Sequence, residues 1–413
     1  MGHYPETLAL HADDELDVSN DVAPPLHVAS TFRFPSDPEE LVPLRYRSAE
    51  DKSHVYSRLT NPNTTRFEAI LTSLLKAPSL TYTSGLSALL GVLFCLKPRQ
   101  ISMGKGYPGC HGTVALISGL NGMKKLPLDC KTADLDAGDV IFLETPINPT
   151  GIALNIQEFA DKAHSRGAIL IVDATFAPPG LQDPFKHGAD IVLHSGTKYL
   201  GGHSDMLCGV VATKNTEWFA QLKKERFFLG GVMGSLEGWL GVRSMRTLNL
   251  RIMLQSESAT SLVKWLNTAL QINEGSDMKK DCELESESHV IKAALSTVTH
   301  ASLQTADLEQ GWLKSQMPNG FGPVFSICLK SRNMAKRFPS KLRLFSHSTS
   351  LGGVESLIEW RTMTDPDADP TLLRVSIGVE NWEDLRLDFL QALQAVLQDE
   401  EKENADKQVT CTN

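Results

Sequence analysis

A lysine just past an apolar run is the first residue in this chain able to do covalent chemistry. The run Ile191–Leu193 leads into His194, Ser195, Gly196, Thr197 and Lys198, and the pair Gly201-Gly202 follows. An amine held at a strand end among hydroxyls and glycines can serve as a buried nucleophile; a lone lysine is more often a solvated surface charge. Ser195 and Thr197 could hold a phosphate, and the glycine pair admits close backbone approach. A second apolar run, Ile169–Val172, ends on Asp173. A carboxylate there is costly to bury unless it meets a positive partner, and its plainer role is a helix cap or structural ion pair. A third run, Leu80–Thr83, enters Ser84-Gly85-Leu86-Ser87, a polar turn that opens a helix. Backbone N–H groups and the helix dipole at such a turn favour a phosphate, with an ordinary serine cap as the alternative.

Taken together, the three strand ends meet the needs of pyridoxal 5'-phosphate (PLP). Its aldehyde requires a lysine, its pyridine nitrogen a carboxylate, and its phosphate a nest of N–H and hydroxyl donors. Lys198, Asp173 and the group Ser84, Gly85, Leu86, Ser195 and Thr197 supply these. No Walker A sequence and no GxGxxG accompany them, so a nucleoside triphosphate or dinucleotide is not indicated.

The elements that must position these residues read as an α/β chain. Candidate strands are Leu80–Thr83, Gln100–Met103, Lys124–Leu128, Val140–Leu143, Ile169–Val172, Ile191–Leu193 and Val210–Thr213, with helical stretches such as Leu86–Leu96 and Ile156–Arg166 between them. That alternation predicts a mostly parallel seven-stranded sheet with its ligand site at the carboxyl ends of the strands. Residues 217–270 read as helical, 273–289 as a polar loop, and a smaller α+β unit follows with strands Val324–Leu329 and Leu373–Ile377 and the helix Trp382–Leu397. The division expected is an irregular arm over 1–55, a large cofactor-binding domain over 56–255, a small domain over 256–398 and a fraying polar tail over 399–413.

The 413 residues carry 40 Lys+Arg against 49 Asp+Glu, a net charge of −9. That balance lacks the footprint of a nucleic-acid binder, and no polybasic segment suits an anionic membrane. No apolar run approaches the ~20 residues that span a bilayer, and the acidic N-terminus lacks the apolar core of a signal peptide. Seven scattered cysteines without a CxxC pair argue against a disulfide framework or a metal site. A reducing, cytoplasmic setting is the expectation.

The ordered motifs resemble those of the Cys/Met-metabolism family of PLP enzymes, the cystathionine γ-synthase-like group. They are TLALHA at 7–12, VYSRLTNPNTTRFE at 55–68, TSGLSA at 83–88, GYPGCHGT at 106–113, ETPINPTG at 144–151, VDATFAPP at 172–179, HSGTKYLGGHSD at 194–205, STSLGGVESL at 348–357 and LLRVSIGVE at 372–380. The resemblance runs from about Thr7 to Leu397 and implies the type I, aspartate-aminotransferase-like fold. It implies Lys198 as the cofactor-linking lysine, Asp173 as the partner of the pyridine nitrogen, and Tyr107 as the residue stacked on the ring. Tyr56 and Arg58 resemble a pair that reaches the phosphate from a neighbouring subunit. Asn148, Ser350 and Arg374 resemble the residues around the substrate, with Arg374 forking its α-carboxylate. A homodimeric site, commonly within a homotetramer, follows from the same likeness.

The reaction this implies is γ-replacement on an O-acyl-L-homoserine, favouring O-acetyl-L-homoserine, through a vinylglycine-type intermediate. Lys198 and Asp173 would serve catalysis, with Tyr107 as acid or base. The small nucleophile is a thiol, sulfide or the carbon of a β-keto acid, the last as in the family's fungal secondary-metabolism branch. The segment 234–248 and the Cys110-His111 pair depart from the common pattern and bear on that second substrate. The alternatives are a γ- or β-lyase acting on cystathionine or methionine, and an inactive scaffold of the same fold. The intact set Lys198, Asp173, Tyr107 and Arg374 argues against the scaffold.

Overall fold

The computed structural model describes residues 3–17, 21–46, 53–272 and 282–411. Seven strands form the large sheet: β1 (Ser79–Tyr82), β2 (Gln100–Met103), β3 (Lys124–Pro127), β4 (Val140–Glu144), β5 (Ile169–Asp173), β6 (Ile191–Ser195) and β7 (Gly209–Thr213). Their order is β1-β7-β6-β5-β4-β2-β3. Every neighbouring pair from β6 to β3 is parallel, and β7 runs antiparallel to both β1 and β6.

The inner strands β4 to β7 are buried almost throughout because both faces are covered, as parallel sheets require, whereas the edge strand β3 (KKLP) is largely exposed. Along β4, Val140 and Phe142 enter the layer beneath the helices Gly85–Leu96 and Pro108–Asn121. Ile141 and Leu143 enter the opposite layer with Phe67 and Ile156. This period-two alternation splits one run of apolar residues between two cores.

A second sheet follows: β8 (Leu295–Thr299), β9 (Val324–Leu329), β10 (Ser346–His347), β11 (Leu357–Trp360) and β12 (Leu372–Ser376), in the order β10-β11-β12-β9-β8. Phe325, Ile327, Leu373 and Val375 pack there against Phe389 and Leu393 of the C-terminal helix. The sequence patterning found β9 and β12. It missed β8, β10 and β11, of which β8 is half exposed and β10 spans two residues.

Three expectations are corrected. The arm is not without secondary structure: Pro5–His11 is a helix with Pro5 in its first turn, Glu6 favourable at its N-terminus and Ala9 buried. The arm also lies on its own chain. Buried Asp13 pairs with Arg66 at 2.6 Å, and Trp239 donates to the Pro24 carbonyl. Of the expected loop 273–289, residues 273–281 lie outside the described residues, while Cys282–Ala294 is a helix. The tail does not end the helix at Leu397, which runs over Trp382–Cys411. Asp399 pairs with Lys341 at 2.6 Å, and Glu403 with Asn333 and Arg337, so the polar segment is fastened to the body. Among the described residues no helix is long and apolar enough to cross a membrane.

Candidate active site

Strands β4, β5 and β6 end together, and the residues at their carboxyl ends face one crevice. Glu144 stands opposite Asp173 in the parallel register. The crevice is a cavity of about 490 Å³, within the range of small-molecule sites. Its phosphate-compatible end is formed by Ser84, Gly85, Leu86, Ser195 and Thr197. Lys198, Asp173 and Tyr107 line its middle. Asn148, Ser350 and Arg374 close the far end, Ser350 from the loop between β10 and β11 and Arg374 from β12. Tyr56 and Arg58 are not brought to this cavity. The Arg58 guanidinium lies over the Tyr56 ring at 5.3 Å and over Phe227 at 4.8 Å.

The turn after β6 is closed by Lys198 N–H to the Ser195 carbonyl and Gly202 N–H to the Lys198 carbonyl. The Lys198 amine donates to Ser350 Oγ at 2.6 Å. Burial, and secondarily the Arg374 charge, lower its pKa to about 8, with Glu359 opposing. The loop carrying Ser350 can come this close because Gly352, at φ +85°, lies against the lysine backbone. A Cβ at Gly352 would stand 2.9 Å from the Lys198 carbonyl carbon.

Asp173 Oδ1 accepts from the Thr175 N–H at 3.0 Å and hydroxyl at 2.5 Å. Its Oδ2 has no donor among the described residues. Desolvation pushes the Asp173 and Glu144 pKa values up, Glu144 further because it also faces the Asp173 charge. Glu144 is a functional residue the sequence reading passed over. Its two oxygens accept from the N–H groups of Tyr107 (2.9 Å) and Asn148 (2.7 Å), fixing both residues at once. The signal was present: VIFLE ends on an acid after four apolar residues, as ILIVD does.

At the far end Arg374 of β12 stands directly across from Glu359 of β11. Its guanidinium contacts Glu359 at 2.5 Å, the Ser350 carbonyl at 2.7 Å and Asn148 Oδ1 at 3.1 Å. Arg361 shares the same Glu359 oxygen at 2.8 Å. Glu359 and Arg361 were not foreseen, because β11 was not recognised.

The donor set fits PLP. Ser84 caps the helix Gly85–Leu96 by accepting the Ser87 N–H, leaving the first N–H groups toward the cavity. The glycine makes room: a Cβ at Gly85 would meet the Ser195 Cβ at 3.1 Å. The Thr197 hydroxyl is held by the Cys208 backbone, whereas the Ser195 hydroxyl has no partner among the described residues. Asp173 Oδ2 offers a buried acceptor for a protonated ring nitrogen, and Lys198 a desolvated amine.

The Lys198 pKa makes a testable statement. With a value near 8, about a tenth of the amine is free at pH 7, against roughly 0.03% for an unshifted lysine. The initial rate at which apoprotein takes up PLP, followed by visible absorbance, should therefore climb with pH and level off above about 8. A rate still climbing tenfold per pH unit up to pH 10 would show an unshifted amine.

Comparison with known proteins gives a consistent result. The chain is 29% identical over 411 residues to cystathionine γ-lyase of Saccharomyces cerevisiae, covering 94% of this chain and 96% of the relative. It is 32% identical to cystathionine β-lyase of Lactococcus lactis subsp. cremoris, covering 84% and 90%. Among solved structures, a methionine γ-lyase from Micromonospora echinospora superposes with a TM-score of 0.79 at 28% identity, covering 95% of this chain and 99% of the other. The fold is that of the type I PLP enzymes, and PLP is the cofactor. The model of the family described as Cys/Met metabolism PLP-dependent enzyme matches residues 6–394, and the chain belongs to that family.

Proposed function

We propose that the chain catalyses γ-replacement on an O-acyl-L-homoserine, O-acetyl-L-homoserine being the favoured donor. The observation that carries this reading is a second chamber of about 1600 Å³ that shares Pro108, Asn148 and Arg361 with the catalytic cavity. A lyase acting on methionine needs room for one short amino acid and water. A chamber opening on the same wall gives a second substrate somewhere to wait.

The residues divide the work as follows. Arg374 forks the α-carboxylate of the donor. Lys198 Nζ, as a free amine, would take the Cα proton and later return one, a task suited to its lowered pKa. Asp173 Oδ2 would hold a proton at the ring nitrogen of bound PLP, and Tyr107, its backbone fixed by Glu144, would lie beside the ring and exchange protons near it. Bound PLP supplies the electron sink that lets protons leave Cα and Cβ. The Cγ–O bond then breaks, the acyl group departs as a carboxylate, and the nucleophile gives up its proton as its bond to Cγ forms. The protons removed from Cα and Cβ are restored to the product.

The second reading, γ- or β-elimination, is favoured by the names of the relatives, which are lyases. Incubating holoenzyme with O-acetyl-L-homoserine and a panel of cysteine, sulfide, methanethiol and acetoacetate separates the two by mass spectrometry. Replacement predicts a product carrying the nucleophile. Release of 2-oxobutanoate at the same rate with every nucleophile or none would sink it.

A shared dimeric site is part of the proposal. Among the described residues, the phosphate-compatible end has no arginine, and its one lysine is the catalytic Lys198. A phosphate dianion there needs a further cation, which Arg58 of a second copy would supply with Tyr56. Mixing inactive Lys198→Ala with inactive Arg58→Ala protein should restore partial activity, since one site of each mixed dimer is intact. No recovery after subunit exchange, verified by mass, contradicts the shared site. A reducing, cytoplasmic setting is part of the same reading, in keeping with free thiols at Cys95, Cys110, Cys130, Cys208 and Cys328.

A further inference from the structure

Arg361 is the charged residue that the reading above leaves without a task. It follows β11, is 5% exposed, and lines both the catalytic cavity and the adjoining chamber. Its Nη1 donates to Glu359 Oε2. That carboxylate is already shared: the same oxygen binds Arg374, and Oε1 accepts the Thr364 hydroxyl at 2.6 Å. Two buried guanidinium ions thus stand on one anion, leaving an excess positive charge. The Arg361 Nε is buried and has no partner. A buried N–H of a charged group left without an acceptor is costly, and an anion from outside the chain relieves it.

The overall charge of the chamber does not select that anion, since Asp129, Asp365 and Asp369 share its wall with Lys105 and Lys125. Arg361, common to both spaces and left with an unpartnered Nε, does. The donor amino acid carries one α-carboxylate, and Arg374 takes it. A second carboxylate at the chamber side of the junction therefore belongs to the molecule arriving from the chamber.

We propose that Arg361 is a specificity-determining residue that binds the carboxylate of the incoming nucleophile. The second substrate is then a carboxylate-bearing thiol or β-keto acid rather than sulfide or methanethiol. This rests on the γ-replacement reading.

The test compares wild-type, Arg361→Gln and Arg361→Lys holoenzymes, each shown to retain the cofactor's visible absorbance. Glu359 keeps Arg374 in the glutamine variant, so no buried acid is orphaned. With O-acetyl-L-homoserine as donor, Arg361→Gln should raise the KM for cysteine and acetoacetate at least about tenfold, the loss expected of one charge-assisted contact. The donor KM should stay within about twofold, and lysine should restore part of the loss. A rise in the donor KM alone, or an equal loss with sulfide and acetoacetate, overturns the assignment. Calorimetric titration of the same proteins with acetoacetate and with acetone, which lacks the carboxylate, reads binding without turnover. Acetoacetate binding lost in Arg361→Gln and absent for acetone supports the assignment; equal acetoacetate binding in both proteins overturns it. If no nucleophile yields a replacement product, the γ-replacement reading fails, and the titration still decides what Arg361 binds.

Discussion

Glu144 and Asp173 end adjacent strands in direct register, so two carboxylates lie side by side where the sheet has removed most water. Desolvation raises the pKa of both, and the Asp173 charge raises that of Glu144 further. Between the ordinary carboxylate range and their raised values, the folded chain holds more protons than the unfolded one. The pair therefore lowers stability as pH rises through that window. A positive group bound against Asp173 would reverse this, so that ligand binding and folding would support each other. Glu144 is tolerated for another reason: its oxygens satisfy two backbone N–H groups and so set the positions of Tyr107 and Asn148.

The second sheet completes what the first begins. Lys198 meets Ser350, and Asn148 meets Arg374, so contacts between the two halves run through the catalytic cavity itself. Arg374 is held across the sheet by Glu359, a pairing that fixes a buried fork ready for a carboxylate. Because Arg361 draws on the same glutamate, Arg374 is not fully neutralised and keeps its attraction for an anion. Desolvation, with the Arg374 charge beside it, lowers the Lys198 pKa to about 8, so a useful fraction of the amine is free to take a proton near neutral pH.

Much of this was legible in the residues. Apolar runs ending on Asp173 and leading into Lys198 marked the strand ends, because a charge after buried residues must meet a partner there, and the three strand ends together suit one ligand. The inner strands of the large sheet were readable because burial on both faces makes them nearly continuous apolar runs, as in VIFLE and ILIVD. The small sheet was harder. β11 reads LIEW and carries a buried acid whose partner lies on another strand, so local pattern could not show that Glu359 is satisfied. The C-terminal helix exceeded its expected end because Asp399 and Glu403 find partners distant in sequence. Tyr56 and Arg58 were readable as a motif, yet one copy of the chain does not bring them to the cavity.

The central claim is that the Lys198 amine moves the Cα proton of a bound amino acid. In deuterium oxide, holoenzyme given L-2-aminobutyrate, which has no leaving group at Cγ, should exchange the Cα proton for deuterium, read as loss of its NMR signal. Lys198→Ala should exchange far more slowly, and added methylamine should restore part of the rate by replacing the missing amine. Exchange in Lys198→Ala at the wild-type rate without added amine would contradict the account.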